Sequence, residues 1–180
     1  MRTPSLSRRQ WLAVLALSAA ALATPSQAAD SFASAQQSFA RAQQGDSAAV
    51  EAAAAQFARL SAASPTDPVL MAYAGASESM RATTTWMPWR KMRHAEDGLA
   101  LLDKALSLAA AAGSAAGPSG APAVLETRFV AASTFLALPS MFNRQERGRA
   151  LLAQVQADPL FASAPAGFRQ SVQQRAGVSR

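Results

Sequence analysis

The sequence predicts an all-α protein arranged as a series of helical hairpins, and three observations carry that prediction. Alanine dominates the chain after residue 28, and alanine is the strongest intrinsic helix former because it loses no side-chain entropy on entering a helix. Isoleucine is absent, and strand-length runs of valine, threonine and tyrosine are missing. Apolar residues instead recur at steps of three and four between turn signals, with phenylalanine and tryptophan among them, which separates the chain from a floppy low-complexity sequence.

Residues 1–28 read as a cleavable export signal, with Arg8 and Arg9, an apolar run from Trp11 to Ala23, and the small residues Ser26 and Ala28 before Asp30. The run is too short for the ~20 residues a helix needs to cross the hydrocarbon core, so the segment is expected to be removed and to leave no stable membrane anchor. Ser7, Arg8, Arg9, Gln10, Trp11 and Leu12 resemble the twin-arginine export motif; an ordinary signal with two arginines fits the same residues. Either route places the processed protein in the periplasm or outside the cell. No cysteine occurs, which excludes disulfides and lipid attachment through a cysteine.

Residues 29–180 are expected to form one domain stable through packing alone. Arg2, Arg8 and Arg9 leave with the signal while all eleven acids stay, which lowers the formal charge from +6 to +3. So small a charge is weak grounds for a polyanion partner, and nucleic acid is not expected as one.

Asp30 is the expected cap of a first helix that places Phe32, Ala35 and Phe39 on one face, and Gly45 closes it. Asp46 caps a second helix with a stripe of Val50, Ala53, Ala54, Phe57 and Leu60, ending before Pro65. Asp67 and Pro68 start a third, burying Val69, Leu70, Tyr73, Ala76 and Met80 and stopping near Thr83 to Thr85. Pro88 opens a fourth with Trp89, Met92, Ala95, Leu99, Leu102, Leu106 and Ala109 in helical register. Residues 110–122, rich in glycine, proline and serine, are expected to be a flexible surface loop. A fifth helix carries Leu125, Phe129, Ala132 and Leu136 up to Pro139. Asn143 with Glu146 matches a capping box for a sixth, which carries Leu151, Leu152 and Val155 as far as Asp158 and Pro159. A short helix around Phe168 and Val172 is expected to cover the end, with fraying after Gly177.

About six helices in consecutive hairpins plus a covering helix is the pattern of a three-unit helical array. Ala53, Phe57, Leu60 and Pro65 resemble the second half of a tetratricopeptide repeat. Gly98, Leu102, Ala105 and Ala110 share that spacing without the proline. Gly75 matches the first-helix glycine, whereas Met71 and Glu78 stand where the repeat has tryptophan and tyrosine, so the units are degenerate. The stretches from Asp67 to Gly75, Trp86 to Lys91, Leu102 to Ala105 and Glu126 to Pro139 resemble bacterial exported proteins with such helices. The resemblance implies a fold and no activity.

Enzyme chemistry has little raw material. His94 is the only histidine, Lys91 and Lys104 are the only lysines, and no serine sits in a strained turn of the Gly-x-Ser-x-Gly kind. No histidine-rich metal site is available, and no cofactor is expected. His94 reads best as a surface histidine on a charged helix face.

The one concentrated feature is Arg81, Trp86, Trp89, Arg90, Lys91, Arg93 and His94. Guanidinium contacts and tryptophan stacking there are suited to an anionic group. The simpler expectation is that Trp86 and Trp89 plug a gap between hairpins while the basic residues solvate the outer face. Arg144, Arg147 and Arg149 form a second basic cluster at a helix start, a candidate docking rim. Together these features predict a non-enzymatic exported module that holds another envelope or exported protein, or alternatively a carrier of a small anion or lipid headgroup.

Overall fold

A computed structural model describes residues 25–178 of the chain. The arginine pair and most of the expected export signal lie outside them. Among the described residues the fold is all-helical: α1 (Pro25–Gln43), α2 (Ser47–Ala63), α3 (Pro68–Met80), α4 (Pro88–Ala112), α5 (Ala123–Ala137), α6 (Gln145–Ala157) and α7 (Ala166–Val178). Short 3-10 turns at Arg81–Thr83, Ser140–Phe142 and Pro159–Phe161 follow α3, α5 and α6.

Local chemistry sets most of these boundaries. Asp46 accepts from the amide of Ala49 at 3.1 Å, and Asp67 accepts from those of Val69 and Leu70 at 2.9 and 3.2 Å. Each cap thus satisfies amides that the first helical turn leaves without a backbone partner. Two expected caps are corrected. Helix α1 already includes Pro25 to Ala29, so Asp30 lies inside the helix and does not cap it. Asn143 adopts a left-handed conformation (φ 52°) that closes the 3-10 turn before it, so α6 starts at Gln145 and the capping box with Glu146 does not form.

Consecutive helices pack most extensively as α1 with α2, α3 with α4, and α5 with α6, and α3 also meets α2 and α5. That central position explains why α3 is buried nearly all round, from Pro68 through Ser79, instead of showing a single stripe. At one end, Phe57 and Tyr73 stack at 4.8 Å, and Phe32 and Phe39 meet both rings edge-on, joining α1, α2 and α3. At the other, Phe135, Leu151, Leu152, Val155 and Val172 continue the core from α5 through α6 to α7. The α3–α4 crossing is unusually close. A methyl group at Gly98 would lie 2.6 Å from the Gly75 carbonyl oxygen and 2.7 Å from the Ser79 amide nitrogen, so only glycine fits there.

Helix α4 extends through Ala112, which shortens the segment between α4 and α5 to residues 113–122. That segment turns back on itself. The Gly117 amide donates to Ala121 O and the Ala123 amide to Ala115 O, both at 2.8 Å.

Candidate functional site

The α3–α4 connection is braced from below. Arg81 donates through Nε to Glu51 on α2 at 3.0 Å and through Nη1 to Glu78 on α3 at 3.3 Å. Partial burial works against its charge, but Glu78 and then Glu51 outweigh that and hold the guanidinium pKa above its ordinary value. Of the threonines that follow α3, Thr84 joins the same brace, and Thr83 and Thr85 bond to nearby backbone. Thr83 donates to Met80 O at 2.7 Å, Thr84 to Glu51 Oε1 at 2.9 Å, and Thr85 Oγ1 accepts from the Met87 amide at 3.4 Å. His94 Nδ1 lies 2.7 Å from Glu78 Oε1, so the ring N–H donates to the carboxylate. His94 is therefore a tie between α3 and α4 rather than a surface histidine.

Above this brace the tryptophans project. Trp86 is 78% exposed and Trp89 66% exposed, so neither plugs a gap between hairpins. The start of α4 explains why. Trp86 precedes the cap position Met87, where an apolar residue usually packs on the fourth helical position, but that position is Lys91. Trp89, one residue after Pro88, turns away from the core face that begins at Ala95. No side chain caps this helix and its first turn holds no acid.

The seven residues singled out in the sequence thus divide by role. Arg81 and His94 are consumed in the brace, and Arg93 pairs with Asp97 at 3.7 Å on the exposed face of α4. Arg90 and Lys91 are exposed, and among the described residues neither has an ion-pair or hydrogen-bond partner. Two projecting indoles and two unpaired cations remain exposed within residues 86–91.

The second basic cluster is largely spent within the fold. Arg144 and Arg147 on and beside α6 both bind Asp103 of α4, and both guanidinium groups lie over the Phe135 ring, at 5.6 and 5.3 Å. The expected docking rim is reduced to Arg149.

Sequence reasoning missed Glu126. It is 2% exposed on α5, accepting from Tyr73 Oη at 3.1 Å and from Ser119 Oγ at 2.5 Å. Burial raises its pKa above the ordinary carboxyl value, against the opposing hydrogen bonds from Ser119 and Tyr73. Burial, and then the charge of Glu126, push the Tyr73 phenol up as well. This network ties α3, α5 and the loop before α5 together. Its partners lie 53 and 7 residues away, and no local spacing in the sequence marks it.

An open hollow of about 490 Å³ between α1 and α2 is lined by Asp30, Ser34, Gln56 and Arg59, apart from the tryptophans. Among the described residues no group of three or more histidine, aspartate or glutamate side chains is placed to hold a metal ion. Comparisons with protein-family models, curated proteins and solved structures returned no match.

Proposed function

We propose that the chain is a non-enzymatic interaction module of an exported protein, built from tetratricopeptide-like hairpins, which docks through Trp86, Trp89, Arg90 and Lys91. The observation that carries this reading is the exposure of two indoles on a braced connection. An exposed indole leaves a large apolar area in water, and contiguous exposed apolar surface rimmed by polar groups is the usual mark of an interaction site.

The pairwise packing of consecutive helices and the glycine crossing at Gly75 and Gly98 support the tetratricopeptide-like description. Arrays of this kind serve as rigid platforms for partners. The two groups with the best claim to acid–base chemistry, His94 and Glu126, are both engaged in holding helices together, which supports the non-enzymatic reading. A carrier of a small anion or lipid headgroup would draw on the same residues. Enclosing a ligand needs walls around the indoles, and their exposure favours docking over enclosure.

The partner is another component of the cell envelope. Recovery of the tagged full chain from the envelope tests this, with wild type compared with Trp86→Ala/Trp89→Ala. The expected result is an envelope component, protein or lipid, that accompanies the wild type and is lost from the variant. Equal recovery with both chains would overturn the assignment of the site.

A further inference from the structure

We infer that the surface met by Trp86, Trp89, Arg90 and Lys91 is an anionic phospholipid bilayer. This rests on the docking reading above and names its partner.

The indoles carry the first part of the argument. Each leaves most of its surface uncovered, and Met87 and Pro88 lie between them in the chain. A protein partner would have to supply a fitted pocket for each. The bilayer interface needs none, because it is apolar on one side and hydrated on the other and receives amphipathic rings at headgroup depth. Nor is the projection incidental, since Glu51 on α2 and Glu78 on α3 hold its base through Arg81, and Glu51 also holds it through Thr84.

Charge carries the second part. Arg90 and Lys91 directly follow Trp89 and have no acidic partner among the described residues, whereas Arg93, one turn further along the helix, is paired with Asp97. The first turn of α4 has no acidic residue, and the positive end of the helix dipole adds to the same sign. Positive charge at a helix start is unfavourable in isolation, and an anionic surface facing it reverses the balance. Contact would be peripheral, since no described helix is long and apolar enough to cross a membrane.

The test uses the full chain as recovered from cells, with its N-terminus determined by mass, so that any contribution of residues 1–28 is common to every variant. Binding is measured by co-sedimentation with vesicles of phosphatidylcholine alone and of phosphatidylcholine mixed with phosphatidylglycerol. Wild type is expected to bind the mixed vesicles more tightly, to lose that preference at high salt, and to show a blue shift of indole emission. Arg90→Ala and Lys91→Ala are each expected to weaken binding on the order of fivefold. Trp86→Ala/Trp89→Ala should weaken binding to the mixed vesicles, while Arg59→Ala, a charge removed from the exposed face of α2, should leave both the binding and the wild-type emission shift unchanged. Coincident melting curves establish that the variants are folded. Binding indifferent to lipid charge, or unaffected in the tryptophan variant, would overturn the inference. If vesicles are not bound but a protein component of the envelope is lost from the tryptophan variant, the lipid inference falls and the docking reading stands. If neither measurement responds to the tryptophans, both fall.

Discussion

Glu126 and Trp86 show the two ways in which single residues depart from what helical spacing suggests. Glu126 follows Leu125 in a register that says only that α5 has a core face, yet it is the deepest charged side chain described, and its solvation is replaced by Tyr73 and Ser119. A consequence for pH follows. Burial raises its folded-state pKa above the unfolded value near 4.5, so between those two values the folded state binds more protons. The contribution to stability is therefore full below the ordinary carboxyl range and is lost as pH rises through the raised pKa. Urea denaturation across that interval should show this slope in the wild type and its disappearance in Glu126→Gln. Glu126→Ala, which leaves the hydroxyl of the largely covered Tyr73 without its carboxylate acceptor, is expected to cost about 1–3 kcal/mol. For Trp86 the sequence did hold the signal, in Lys91 at the position where an apolar mate would have to stand. Composition pointed the other way, because aromatic residues more often anchor cores.

At the scale of elements, the helix starts with a local chemical cause were the legible ones. Asp46, Asp67 and Pro88 each act within three residues, and each stands where the sequence places it. The failures have non-local causes. Asn143 was available as a cap, but the preceding 3-10 turn claims it for a left-handed corner. The stripe on α3 vanished because helices pack on it from several sides, which no window along the chain records. Gly75 and Gly98 were legible as small residues at related spacings, and their meeting at one crossing supplies the physical reason. Gly98→Ala is expected to destabilise by about 1–3 kcal/mol or more, because backbone on the opposite helix cannot yield as a flexible side chain would. Chemical denaturation reads this directly. On the exposed faces, Asp103→Ala should cost about 1 kcal/mol or less, since its ion pairs with Arg144 and Arg147 are only partly shielded from solvent.

Considered whole, the molecule separates stability from contact. The core runs through the helix pairs from Phe32 to Val172, and the projection at Trp86 and Trp89 stands outside it. Trp86→Ala/Trp89→Ala should accordingly change stability by no more than about 0.5 kcal/mol, the usual range for surface substitutions. The most direct test of the docking surface is photocrosslinking in living cells, with a photoreactive residue placed at 86, at 89, or at Ser107, an exposed position further along the same helix. Adducts from positions 86 and 89 and none from 107 are the expected result. No adduct at all, or equal adducts from all three positions, would contradict the assignment of this projection as the surface through which the protein works.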